Sequence, residues 1–271
     1  MLKQRIITAV ILALVVVGSI LQADSTWTRV LFTVVLFMAT RELILLCLRT
    51  SQAPAIAGAL VFAGLFWWSA AIYNVLLIHW QSLAGAVMWI LIAMAMVFYR
   101  HSGNWALLPR VIMLAIGLDL LWICAHGLVY LHQTYGGEML LFVLTLVWVA
   151  DIGAYFSGRR FGRNKLAPAI SPGKTREGVL GGMIANLLWI TLVYQYSQGW
   201  GLSLPQFVLV GMLASLASVV GDLFESILKR EAGVKDSGKL LPGHGGMLDR
   251  IDSVIAATPV YISGIILVGQ L

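Results

Sequence analysis

Nine apolar runs divide this chain, at roughly 6–22, 30–48, 55–78, 83–99, 111–130, 139–156, 178–196, 206–228 and 252–270. About 20 apolar residues in a helix cross the hydrocarbon core of a bilayer. Within that core every backbone N–H and C=O must find a partner inside the protein, so only helices and closed barrels span it. The runs are continuous rather than alternating, which argues against a barrel and predicts an all-α polytopic membrane protein of about nine transmembrane helices. Composition agrees: 60% of the 271 residues are hydrophobic and 11% are charged, against about 25% charged in a soluble domain. The third and fourth runs are separated only by His79–Ser82, so their boundary is the least fixed.

The basic residues orient the bundle. With the N-terminus in the cytoplasm and alternating spans, the cytoplasmic side receives Lys3, Arg5, Arg49, Arg100, Arg110, six residues from 157–177 and five from 229–250. The opposite side receives Arg29, and Arg41 lies inside a span. This segregation predicts an N-terminus in the cytoplasm and a C-terminus outside. Leu21 stands where a signal-peptide cleavage site needs a small residue, so the first run is expected to be an uncleaved helix. Cys47 and Cys124 fall in separate spans with no ligand spacing, which argues against a zinc site or a disulfide framework. No basic–aromatic pattern points to nucleic acid. The net charge of +6 resides in loops that face anionic head groups.

Two halves differ in character. Residues 1–138 read as scaffold helices with short, sparsely charged connections. Residues 139–271 hold eleven of the eighteen basic and eight of the twelve acidic residues, mostly in two loops predicted to be cytoplasmic, 158–178 and 229–252. Both halves form one integral domain.

In the eighth run, Asp222, Ser226, Lys229 and Arg230 stand at i, i+4, i+7 and i+8, on one helical face. An aspartate well inside a span costs roughly 2.5–3.5 kcal/mol on insertion scales and normally meets a wet cavity or a partner charge. An anchoring ion network of Asp222 with Lys229 and Arg230 is one account of it. The following loop adds Lys235, Asp236 and Lys239, then His244, Gly245 and Gly246, then Asp249, Arg250 and Asp252. Asp249 and Asp252, at i and i+3 where the last helix opens, face one point with Asp222 approaching from the neighbouring helix. Carboxylates so placed suit a hard cation such as Mg²⁺, whose shell is completed by phosphates and waters. The glycines let backbone N–H groups approach an anion, and the cations neutralise phosphate oxygens. Asp252 alone reads equally well as a helix cap. The stretch 171–178, SPGKTREG, is not a P-loop, because residue 168 is proline where that motif requires glycine. It is still a basic turn entering a helix, able to hold phosphate through Ser171, Lys174 and Thr175, or to serve only as a membrane-surface anchor. Asp151, with Tyr155 one turn on, is a second intramembrane acid.

The stretch 226–252 resembles the signature of the CDP-diacylglycerol synthases, or phosphatidate cytidylyltransferases. That signature reads S-x-x-K-R-x-x-x-x-K-D and then H-G-G-x-x-D-R-x-D. Here Ser226, Lys229, Arg230, Lys235, Asp236, His244, Gly245, Gly246, Asp249, Arg250 and Asp252 fill every fixed position. A second landmark of that family, S-P-G-K-T-x-E-G, stands intact at 171–178, and 148–168 is similar to bacterial members.

The resemblance implies transfer of the cytidylyl group from CTP to phosphatidic acid, dependent on Mg²⁺, in the bacterial cytoplasmic (inner) membrane, by a homodimer whose site faces the cytoplasm. It implies metal ligation by Asp222, Asp249 and Asp252, with a second cation left open. It places Lys229, Arg230, Lys235, Asp236, His244 and Arg250 at the reacting phosphates, with Ser171, Lys174, Thr175, Ser226, Gly245 and Gly246 holding substrate phosphate. His244 reads alternatively as an ordinary loop histidine. Two rival functions are a CTP-dependent lipid kinase and a cation-coupled transporter using Asp119, Asp151 and Asp222 as relay acids. Arg41 and Asp119, both mid-span, are expected to form a structural ion pair.

Overall fold

The computed structural model describes residues 16–22, 24–69, 72, 74–100, 105–238 and 245–269. Among the described residues, seven helices are long and apolar enough to cross a membrane. They are α1 (Ser25–Leu48), α2 (Gln52–Ser69), α3 (Val75–Val97), α4 (Leu107–Phe161), α5 (Arg176–Ser197), α6 (Leu204–Ala232) and α7 (Leu248–Gly269). Residues 16–22 are also helical; the rest of the first predicted span lies outside the described residues. The 55-residue α4 contains two predicted spans, divided at Gly136, whose φ of 86° and ψ of 174° break the helical path. A positive φ of this kind suits a residue without Cβ.

Each remaining run overlaps a helix, with one boundary corrected. The helices under the runs 55–78 and 83–99 do not meet at His79–Ser82: one ends at Ser69 and the next begins at Val75. Asn74 is the reason: its Oδ1 accepts the Leu77 N–H at 2.9 Å and caps α3, so 79–82 lie within that helix. Asp24 caps α1 likewise, accepting from the N–H groups of Thr26 and Trp27.

The loop 158–178 contains a short antiparallel hairpin, β1 (Lys165–Ala167) with β2 (Ser171–Thr175), in an otherwise all-α fold. The second half of α4 packs on α5 through small residues. A Cβ at Gly182 would sit 2.7 Å from the Ala150 carbonyl oxygen, and one at Gly153 would sit 3.0 Å from that of Gly181. Such close backbone approach is how helices associate in lipid, where apolar side chains gain little by meeting one another. α6 packs along α7, and α7 also contacts α3 and α4. Exposed Trp27, Trp68, Leu188, Val97 and Phe98 clothe the outside of the bundle with apolar surface, as lipid requires.

Asn186 ties three helices together in the interior. From α5 its Nδ2 donates to the Leu146 carbonyl of α4 at 2.8 Å and to Ser215 Oγ of α6 at 2.5 Å. We expect Asn186→Ala to lower stability in detergent by about 1–2 kcal/mol, the upper range of interhelical hydrogen bonds in membranes, as read by a reduced unfolding midpoint. An unchanged midpoint would show that the bonds contribute nothing net.

Arg41 and Asp119 do not pair. Arg41 Nη2 donates to Gln52 Oε1 at 2.5 Å across the α1–α2 turn, and no ion pair links it to Asp119 among the described residues. The long guanidinium reaches a neutral acceptor in the next connection rather than a carboxylate on another helix. Both cysteines are free and buried.

Candidate active site

α6 has 29 residues, a rise of about 43 Å, whereas the hydrocarbon core is about 30 Å thick. The helix is therefore longer than the hydrocarbon core alone, and Lys229 and Arg230 lie in its last turn. At Gly221 the helix presses on α7 so closely that a Cβ would overlap the Asp252 carbonyl oxygen. This contact brings Asp222 of α6 and Asp252 of α7 side by side.

The predicted polar face of α6 divides between two neighbours. Asp222 Oδ2 pairs with Lys174 Nζ of β2 at 2.5 Å, while its Oδ1 accepts from Ser226 Oγ at 3.4 Å. Arg230 Nε donates to the Ile170 carbonyl in the hairpin turn at 3.3 Å. Lys229 turns the other way, bridging Glu225 on its own helix and Asp249 Oδ1 of α7, the latter at 2.6 Å. The alternative of an Asp222–Lys229/Arg230 anchoring network gives way to cross-element pairs, because the hairpin delivers Lys174 and α7 delivers Asp249.

Asp249 is held from several sides. Its Oδ2 accepts from Ser237 N at 2.8 Å, from Ser237 Oγ at 2.9 Å and from Gly246 N at 2.8 Å. Gly245 precedes that donor with a φ of 80°, and a Cβ there would lie 2.7 Å from Asp249 Oδ2. Asp252 is not the cap of α7. It sits one turn inside the helix, where Asp222, Glu225 and Lys229 are its electrostatic neighbours and Ser253 N donates to its Oδ1 at 2.6 Å.

The centre thus gathers four carboxylates, Asp222, Glu225, Asp249 and Asp252, around two ammonium groups, Lys174 and Lys229. Among the described residues, no three acidic, histidine or cysteine side chains converge as a ready-made metal cage. The donors are nevertheless all hard oxygens, the set Mg²⁺ uses when one or two carboxylates bind it and phosphates and waters complete its octahedron. The residues therefore fit a cation completed by substrate, not one enclosed by protein.

Beside Asp222 opens a cleft of about 370 Å³, lined among others by Asp151, Tyr155, Arg159, Lys174 and Ser215. That volume is within the range of small-ligand sites. The hairpin forms one wall and is fixed by its own residues. Thr175 Oγ1 caps α5, accepting Gly178 N–H at 3.1 Å. Glu177 in the first turn accepts from the N–H groups of Arg163 and Asn164 and from Asn164 Nδ2 at 2.7 Å. Thr175 therefore shapes the wall, while Lys174 faces the cleft.

Asp222, Ser226, Lys229, Gly245, Gly246, Asp249 and Asp252 come together, joined by Lys174 from the other loop. Lys235, Asp236 and Arg250 are exposed, and Ser171, half-buried, begins β2. Lys239 and His244 lie outside the described residues. Sequence reasoning missed Glu225 and Ser237. Glu225 had a usable signal, an acid inside a span four residues before Lys229. Ser237 carried none.

The chain matches the cytidylyltransferase family over residues 3–267. A phosphatidate cytidylyltransferase of Pseudomonas aeruginosa is 41% identical over 269 residues, covering 96% of each chain. One from Haemophilus influenzae is 50% identical over 136 residues, 49% of this chain and 47% of its own. One from Staphylococcus saprophyticus is 43% identical over 136 residues, 49% of this chain and 52% of its own. With a family match spanning nearly every residue and a relative aligned over almost its whole length, the chain belongs to the cytidylyltransferase family.

Proposed function

We propose that this protein is a phosphatidate cytidylyltransferase, converting CTP and phosphatidic acid into CDP-diacylglycerol and pyrophosphate. The observation that carries this reading is the near-full-length similarity to the Pseudomonas aeruginosa enzyme. The carboxylate–lysine centre beside an anion-sized cleft supports it. In the reaction a phosphatidate phosphate oxygen attacks the α-phosphorus of CTP. The bond from that phosphorus to the β-phosphate bridging oxygen breaks, and pyrophosphate leaves. A phosphomonoester is largely dianionic at neutral pH, so no strong general base is needed. The difficulty is to bring two polyanions together.

Lys174 and Arg159 at the cleft suit phosphate oxygens, with Arg250 at the rim. Asp222 and Asp249, with Asp252 beside them, would hold Mg²⁺, and the excess of carboxylates leaves room for a second cation. Bound there, the metal supplies charge neutralisation for the phosphates and the departing pyrophosphate. Lys229 keeps Asp249 oriented toward α6. Convergence of the acids at one end of α6 and α7 favours this reading over a relay of acids through the bilayer.

We place the site on the cytoplasmic face of a bacterial inner membrane, where soluble CTP meets a lipid head group. The distribution of lysine and arginine between loops supports that orientation. We infer a homodimer from the family resemblance, and crosslinking in native membranes tests it. Purified protein supplied with radiolabelled CTP and phosphatidate is expected to form labelled CDP-diacylglycerol. A chelator should abolish product formation and added Mg²⁺ restore it. Absence of product with metal present would overturn the assignment, and turnover in excess chelator would overturn the metal dependence.

A further inference from the structure

Glu42 belongs to α1, in the half of the chain that carries no signature motif, yet its carboxylate reaches the Asp249 end of the site. It is 1% exposed. Its Oε2 accepts the Leu248 N–H at 2.8 Å, at the first residue of α7, and the Ser237 hydroxyl at 3.0 Å. Ser237 in turn donates its N–H to Asp249 Oδ2, places Oγ 2.9 Å from that same oxygen, and accepts the Asp249 N–H on Oγ at 3.3 Å. One hydroxyl proton thus stands between two carboxylates. Gly238 and Gly246 close over Glu42 so tightly that a Cβ on either would overlap its oxygens.

A buried carboxylate is an unfavourable way to pack α1, since an apolar residue of similar size fills space without desolvating a charge. What an apolar residue lacks is an acceptor for the two donors that come from opposite ends of the 237–248 connection. Without it the Leu248 N–H is buried and unpaired, which is costlier than the bond itself is favourable. Ser237 would then bond to Asp249 alone and lose its fixed point on α1.

We propose that Glu42 is a positioning residue: by anchoring Ser237 and the first turn of α7, it fixes Asp249 in the orientation in which Lys229 meets it. The kinetic part of the test rests on the cytidylyltransferase reading; the exchange part does not. In the full-length purified chain, Glu42→Ala is expected to lower kcat about 10–100-fold, the usual effect of removing a group that orients a functional carboxylate, with little change in KM for CTP. Amide exchange should accelerate at Ser237, Gly246, Leu248 and Asp249 and remain unchanged in the other helices. Glu42→Gln keeps an oxygen acceptor and should restore most of the rate and the protection.

Three results would overturn the proposal. They are wild-type kcat in Glu42→Ala, exchange raised equally in every helix, and a glutamine variant as slow as the alanine one. If Glu42→Ala does not purify folded, Ser237→Ala decides: it should slow turnover and accelerate exchange at Asp249 and Gly246, and wild-type behaviour would sink the idea. Should the wild-type chain show no transferase activity, the functional assignment fails, while the exchange pattern still decides the role of Glu42.

Discussion

Asp249→Asn is expected to reduce cytidylyl transfer by at least about 10²–10³-fold while leaving the protein folded, the scale on which removing a preorganised charge interaction acts. The substitution is isosteric, so packing is nearly preserved, but it is electrically mismatched on both sides. Asp249 Oδ1 faces the Lys229 ammonium and Oδ2 faces three donors from Ser237 and Gly246. An amide has one oxygen. If it keeps that oxygen toward Ser237 and Gly246, its NH₂ points at the lysine. If it turns, its NH₂ points at two backbone N–H groups. Either way one buried donor is opposed by another. The side chains of Lys229 and Asp249 are only 12% and 7% exposed, so water relieves little of this. A bound cation would also lose an anionic ligand. Turnover of labelled CTP, with size-exclusion and thermal profiles in detergent as the folding control, checks the prediction. Retention of more than a tenth of the activity would show that Asp249 is peripheral to the chemistry.

The difference between what was readable from sequence and what was not follows the physics of each element. Helices were legible because lipid permits few alternatives, so an apolar run marks each of α1 through α7, although the facing ends of α2 and α3 are displaced. The break before α3 was misplaced because the residues around it, such as Ile72 and Val75, are as apolar as the helices. Its one signal was Asn74, whose short side chain caps rather than packs. The hairpin 165–175 was hidden because its strands have three and five residues and Pro172 lies in the second, so no alternating pattern develops. Asp222, Lys229 and Asp249 were legible because helical spacing and charge inside a span mark them locally. Glu42 has no local signal: its bonds to Ser237 and Leu248 arise because α1 packs beside them, a tertiary fact with no trace in local sequence. Asp252 illustrates the same limit from the other side: a cap and an interior acid have identical composition, and only the start of α7 at Leu248 separates them.

Lys174 and Asp222 permit a sharper test than any single substitution, because their pair has two accounts with opposite consequences. As a salt bridge between elements, with side chains 25% and 29% exposed, it would contribute about 0–1 kcal/mol. Removing both partners would then leave a protein close to wild type in activity, since neither charge remains unpaired. As a pair of groups that engage substrate phosphate and a cation, each is needed for itself, and pairing only holds them ready before substrate binds. We expect the second pattern. Lys174→Met and Asp222→Asn should each lower kcat/KM about 100-fold or more, as removal of a charge acting on phosphoryl groups does. The double variant should be no better than either single one. Thermal midpoints of all three should stay near wild type, because the pair is partly solvated and the fold is held elsewhere, by the Gly221 contact and by Asn186 among others. The two single variants should also differ in kind. Loss of Lys174 removes a contact to an anion and should raise KM for one phosphate substrate. Loss of Asp222 should shift the Mg²⁺ concentration needed for half-maximal rate. Recovery of activity in the double variant would instead assign the pair to architecture, and Asp222 would leave the list of metal ligands.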